Sequence, residues 1–333
     1  MLPRKSSGRD LEGSRAAKSS RAIWFGEAGT LVYIAVIASI AQATHLPYVL
    51  FPELGALSHD VLKRPHGTWA KAPLMLVVTP LLTGVVGTLV TQHFDYSFVS
   101  VLLTIGIAIA IIGVLRSPIA PAISAGLLPL SLGISTPLYA PSLLIGLGAL
   151  AAVSLIWRRF VPPPPEAGSP RDLVDDIVEE APRDYSWVPF FLIFLVIAIL
   201  LVEVTGWRLL LFPPLVVIAF EMFAHAHVCP WAGRPFILPI ACTLAAAAGV
   251  ALVVFFGDVP LAAAASILFG IAVLRVFDLH VPPALAVGLL PFVIPNVGYE
   301  FPISVGVGTL LLTMCFLAWR RVAVTSFAKI LHW

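Results

Sequence analysis

Three stretches limit the possible folds of this chain most: "GTLVYIAVIASIAQA" from Gly29, "VPFFLIFLVIAILLV" from Val188 and "PFILPIACTLAAAAGVALVVFF" from Pro235. Runs of this kind approach or reach the ~20 apolar residues a helix needs to cross a hydrocarbon core. None alternates apolar and polar residues, as the strands of a membrane barrel do. The whole chain agrees with its runs. Of 333 residues, 59% are hydrophobic and 11% charged, with a mean hydropathy of +0.98, whereas soluble domains are roughly half apolar and a quarter charged. The predicted fold is an all-α, polytopic membrane helical bundle.

Charge predicts its orientation. With a first span starting near Glu27 and its N-terminus inside, 19 of the 20 Lys and Arg fall on the cytoplasmic side, and Arg208 alone falls outside. That bias is the positive-inside pattern. It predicts a multi-pass protein of the cell (cytoplasmic) membrane with both termini cytoplasmic. Residues 1–22 read as a disordered basic tail able to touch anionic lipid rather than as a cleaved leader, and residues 323–333 as a second tail. Residues 161–186, "VPPPPEAGSPRDLVDDIVEEAPRDYS", are proline-rich and then acidic. They read as a solvated cytoplasmic linker with room for one short helix. Cys229, Cys242 and Cys315 have unrelated spacings and no disulfide framework.

The linker separates two related flanks, 23–160 and 187–322. "IWRR" ending at Arg159 recurs as "AWRR" ending at Arg321, and "WAKAP" from Trp69 as "WAGRP" from Trp231, both at an offset of 162. "GLLP" at Gly126 recurs at Gly288 with the same offset, and "LFP" at Leu50 recurs at Leu211, 161 later. Anchors kept in register over so much chain indicate an internal repeat. Because both copies begin and end inside, they are parallel repeats with an even number of passes. Each has six segments, of which two, Pro52–Lys63 and Ser117–Leu130 in the first copy, are short enough to be broken or re-entrant. The repeats then hold four to six crossings each. Glycines such as Gly84, Gly87, Gly106, Gly113, Gly146, Gly148, Gly306 and Gly308 suit close helix contact.

Each repeat resembles the HPP family of integral membrane proteins, whose pattern includes an early "Pro-x-Gly-Ala-Ser-Ala" segment, a "Gln-Pro-Arg" turn and a later "Leu-His-Pro-Pro-Ala-Gly-Ala-Thr-Ala-Leu". Leu279, His280, Pro282, Pro283, Ala284, Ala286 and Leu289 fit the last motif, with Val281 inserted. Pro121, Ala122, Ala125 and Leu127 echo it without the histidine. Pro52, Gly55 and Ala56 resemble the early segment, and Arg234–Pro235 the turn. Members of that family have been assigned nitrite transport, which is what the resemblance implies.

Several residues are candidates for chemistry. A helix started by Pro282–Pro283 would aim its positive end at a cavity and attract an anion, with His280 beside it to supply a proton or hydrogen bond. The matching place in the first copy is Pro118–Pro121 with Ser124. The structural alternative is a kink with a satisfied histidine. Asp278 belongs to the cytoplasmic mouth, solvated or paired with Arg275. Asp60 and Glu221 stand 161 apart, the offset of the "LFP" anchors, and are candidates for proton coupling. Their alternative is a helix-end acid paired with Lys63, Lys71 or Arg234. Glu221, His225, His227 and Cys229 form a weak metal candidate in an unrecognised spacing.

No nucleophile elbow, phosphate loop, dinucleotide fingerprint or zinc-protease pattern occurs, so neither an enzyme nor a cofactor is expected. The expected function is a transporter or channel for a small inorganic anion, nitrite-like, passing between the repeats. The alternative is a non-transporting sensor, assembly factor or metal-binding module. Membrane lipid is the expected surrounding, a homo-oligomer is compatible, and no nucleic-acid partner is expected.

Overall fold

The computed structural model describes residues 8–161, 170–180, 182 and 184–330, with backbone alone for 8–22, 170, 171 and 323–330. The chain is an all-α polytopic bundle. No strand occurs among the described residues. Seven helices are long and apolar enough to cross a membrane. They lie in α1 (Gly8–Thr44), α4 (Pro73–His93), α5 (Phe98–Leu115), α7 (Tyr139–Phe160), α9 (Val188–Thr205), α11 (Ile237–Phe256) and α14 (Glu300–Ile330). Their apolar windows are only 33–50% buried, so most of that apolar surface must face lipid.

The shorter helices are α2 (Leu54–Lys63), α3 (Thr68–Lys71), α6 (Ala122–Leu132), α8 (Pro170–Glu179), α10 (Pro213–Ala224), α12 (Pro260–Val276) and α13 (Pro283–Leu289). Proline starts many of these elements, because its fixed φ suits a first turn where its missing N–H is not needed. The order of elements in α1 to α7 recurs in α9 to α14, with a short 3-10 turn at Pro230–Gly233 in the place of α3. One hydrogen bond recurs as well. Arg158 donates to the Ala70 carbonyl at 3.3 Å, and Arg320, 162 residues later, donates to the Ala232 carbonyl at 3.5 Å.

Side-chain bonds fix the path of the short segments. The Trp157 indole donates to the Leu62 carbonyl (3.0 Å) and the Trp69 indole to the Pro118 carbonyl (2.9 Å), both at the end of the bundle that carries the linker. Gln92 donates to the Ser135 carbonyl (2.8 Å) at the opposite end. Between them, Thr83 donates to the Ala122 carbonyl at 2.6 Å. Thr83 lies about 15 Å along α4, near mid-depth. Thus α2 covers the linker-side half of one crossing and α6 the far half of another. Neither is long enough to span a hydrocarbon core on its own. In the second copy α10 and α13 play the same parts. At the centre, α6 packs against α10 and α2 against α13, so the four half-helices join the two halves.

Glycine permits this arrangement at two equivalent crossings. A Cβ on Gly87 would lie 1.9 Å from the Gly126 carbonyl oxygen, and one on Gly249 would lie 2.2 Å from that of Gly288. A methyl group at either place would force backbone apart. Gly146 and Gly308 make similar contacts with Val49 and Leu210, whereas Gly106, Gly113 and Gly148 face open space. Those last three do not serve close helix contact.

Two readings of the sequence need correction. Residues 8–22 belong to α1 rather than to a tail, and α14 likewise runs on to Ile330. Both segments lack proline and extend a formed helix, which avoids the cost of nucleation. Residues 1–7 and 331–333 lie outside the described residues. The linker is not simply solvated either, since Asp175, Val178 and Glu179 of α8 are buried. The reason is a helical stripe. Val174 and Val178 share a face at i, i+4, and that face turns into the bundle. Residues 162–169, 181 and 183 lie outside the described residues.

Candidate functional site

The half-helices bring acids to a place with little room for charge. Glu53 directly precedes α2, fully buried, and neither of its carboxyl oxygens has a hydrogen-bond partner. The nearest polar group acting on it is the Ser124 hydroxyl, in the first turn of α6, at a geometry short of a hydrogen bond. The starts of α2 and α6 therefore meet at Glu53, and their positive ends favour negative charge there. Pro121 is the residue that caps α6, and Pro118 lies nearer the linker side as the acceptor of the Trp69 indole.

Two turns along α2, Asp60 is also fully buried. One of its oxygens accepts from Arg64 Nε at 2.7 Å and lies 2.5 Å from Nη2, while the other has no partner. Its basic partner is thus Arg64, rather than Lys63, Lys71 or Arg234. Arg64 reaches on into α8. Its Nη1 lies 3.0 Å from Asp176, and its Nη2 bonds Glu179. Asp176 also accepts from the Thr68 backbone N–H at 3.1 Å. Burial opposes the Arg64 charge, but Asp60, Glu179 and Asp175 outweigh it and raise its pKa. Burial pushes Asp175 up to about 6, with Arg64 pulling the other way. Burial and the neighbouring Asp60 also hold Glu179 well above the usual carboxylate range.

Glu221 ends the second copy's half-helix without such a partner. The residue four positions on, where α2 has Arg64, is His225, and its Nε2 sits 3.1 Å from the Glu180 carbonyl oxygen. One Glu221 oxygen has no hydrogen-bond partner, and the charged groups that act on it are Glu53 and Asp60. It opens onto a cavity of about 10 Å³, the room of roughly one water. Trp69, Val178, Trp231, His280 and Pro282 line that cavity together with Asp175 and Glu179. The helix α8 forms its outer wall.

His280 occupies both this cavity and a wider cleft of about 640 Å³ on the linker side. Glu27, His59, Lys63, Arg64 and Arg275 also line the cleft. Its charges are largely spent on each other. Arg275 bonds Glu27, and His59 lies 3.9 Å from Glu27. Asp278, expected to be solvated or paired with Arg275, is exposed; its backbone N–H donates to the Arg275 carbonyl at 3.1 Å, and its side chain lies 4.0 Å from Arg234. His280 Nε2 is 3.3 Å from Asp175.

The Pro282–Pro283 start of α13 is confirmed, with Pro282 as the capping residue and Pro283 first in the helix. Neither proline has an N–H. The next two, on Ala284 and Leu285, bond the Val281 and Pro282 carbonyls at 3.0 Å. The donors nearest that helix end are therefore occupied, which shifts weight from Pro282–Pro283 to Glu53 and Glu221. His225, His227 and Cys229 do not converge. Cys229 is buried, which raises its thiol, and among the described residues no three potential ligands come together around a metal-sized space.

The sequence reading chose Asp60 and Glu221 and missed Glu53, although "FPELGAL" shows an acid beside proline in an apolar run. It also missed α8 as a cover. The valine stripe within "DLVDDIVEE" was the available signal. No family model, curated protein or solved structure matches the chain.

Proposed function

We propose that the protein is a transporter or channel that moves a small inorganic ion between its two halves, with buried carboxyl groups taking up protons. One observation carries the reading: Glu53 and Glu221 lie buried at the junction of the half-helices, and among the described residues both Glu53 oxygens and one Glu221 oxygen have no hydrogen-bond partner. An ionised carboxylate so placed costs several kcal/mol, so each must be neutral or balanced by a cation. An anion passing that point needs the carboxyl groups protonated, which couples its movement to protons. The HPP-like motifs make nitrite the first ion to test. The clustering of Lys and Arg makes the linker side the cytoplasmic one.

The test is flux into proteoliposomes of nitrite, nitrate, formate, chloride and sodium, with and without a pH gradient. One of these ions is expected to be driven by the gradient, with the effect lost in Glu221→Gln. Flux equal to protein-free liposomes for every ion overturns the reading.

A further inference from the structure

The residues between the linker-side cleft and mid-membrane form a sequence of titratable groups with few interruptions. His280 and Asp175 stand 3.3 Å apart where the cleft meets the narrow cavity. Glu221 faces the same cavity from the other side, and its space suits roughly a single water. Deeper still, Glu53 acts on Glu221 and is fully buried with both oxygens unpartnered.

We propose that these groups are a proton path: a proton is taken up at the His280–Asp175 pair, crosses the cavity to Glu221, and is held on Glu53 where α2 and α6 meet. The proposal rests on the transport reading and gives it its coupling residue. Each step moves one proton from an N–H or O–H group to a carboxylate. No other bond changes and no electron is transferred.

Five other groups decide why the path runs this way. Asp60 is near enough to act on Glu221, but it is engaged by Arg64 in a buried ion pair, which keeps it off the path. Glu179, on the cavity wall, is likewise engaged by Arg64. Cys229 is close enough to sense Glu221, but its thiol is raised by burial and stays protonated. Around Glu53 the remaining polar groups are Ser124 and Tyr139, and the Tyr139 hydroxyl donates to the Ala125 carbonyl at 2.9 Å. Glu53 is thus the last acid on the route from the linker side.

Two measurements on the full chain in lipid test the path without reference to any transported anion. Infrared difference spectra across a pH titration should show the C=O band of a buried carboxylic acid, absent in Glu53→Gln. Proton uptake driven by a potassium diffusion potential, followed with a trapped pH dye, should fall at least about tenfold in Glu53→Gln and in Glu221→Gln, equivalent to a barrier ~1.4 kcal/mol higher. Glu53→Asp should retain part of both signals.

Wild-type proton uptake in a folded Glu53→Gln protein overturns the path. If that variant does not fold, the absence of any titrating carboxylic-acid band in the wild type overturns it instead. Failure of the two claims can be told apart. A pH-driven ion flux unchanged in Glu53→Gln removes the path and leaves transport. Proton uptake with no ion flux removes ion transport and leaves the path.

Discussion

The ends of α2 and α10 occupy equivalent places, yet they treat the same problem in opposite ways. In α2 the terminal acid, Asp60, is clamped by Arg64, which α8 also grips through Asp176 and Glu179. In α10 the acid is Glu221 and the clamp is missing, because His225 turns to the Glu180 carbonyl. The halves differ again at the other end of these helices. Glu53 precedes α2, while Pro214, 161 residues later, sits in the first turn of α10. Each half-helix therefore contributes one buried acid outside the ion pairs, the first copy at its start and the second at its end. Duplication supplied the frame. Divergence at two pairs of equivalent positions, Glu53/Pro214 and Arg64/His225, staggered the acids in depth, which a symmetric pair could not do.

The largest expected effect comes from breaking the clamp. Arg64→Ala leaves Asp60 and Glu179 buried beside each other without a cation, and should cost about 3–5 kcal/mol, read as a lower midpoint of thermal unfolding in detergent. The loss should be smaller for Arg275→Ala, whose side chain is far more exposed and whose partner Glu27 keeps His59 at 3.9 Å.

Next is the frame common to both copies. Gly87→Ala and Gly249→Ala should each lose about 1–3 kcal/mol through overpacking, against little change for Gly106→Ala. Unequal losses at the first two would show that the halves are not mechanically equivalent.

Making α10 resemble α2 sharpens the contrast further. His225→Arg should place a cation within reach of Glu221 and slow pH-driven flux about tenfold, the size of one pKa unit of stabilisation of the charged acid. Flux at the wild-type rate would mean that the missing clamp is irrelevant to transport.

The smallest effect concerns the docking of α8. With α8 docked, burial pushes the Asp175 carboxyl up to about 6, above its ordinary value of 3.8. The docked state therefore binds the proton more readily, and this contribution to docking is full below about pH 4 and is lost as pH rises through about 6. Burial of Glu179 acts in the same sense. Burial of His225 acts oppositely, because its lowered pKa opposes protonation of the docked state. Protection factors for amide exchange in residues 172–180, taken relative to the intrinsic rate at each pH, should rise modestly from pH 7 to pH 5, and Asp175→Asn should flatten that dependence.

Much of this fold is legible in the sequence because the bilayer imposes simple rules. Apolar runs of spanning length became α1, α9 and α11, and the 162-residue offsets became equivalent hydrogen bonds at Arg158 and Arg320. Prolines marked the starts of α10 and α13. The site was legible in part. Asp60 and Glu221 stand out by offset, but offset does not show that Arg64 neutralises only one of them. Glu53 has no acidic counterpart in the second copy, so a search by repetition passes over it. The burial of α8 depends on tertiary contacts with Arg64, Thr68 and His280, which local polarity argues against.

The seat of α8 also bears on why the two halves form one polypeptide. Val178 enters a space bounded by Trp69 and Trp231, which are equivalent residues of the two copies. A two-fold dimer of separate repeats would present that seat once, on its axis, while offering two identical segments to fill it. One would be displaced, or both would be excluded. Tethering the halves through a single linker gives one cover for one opening. It also lets single residues of α8 specialise, Asp176 and Glu179 toward an arginine and Asp175 toward a histidine.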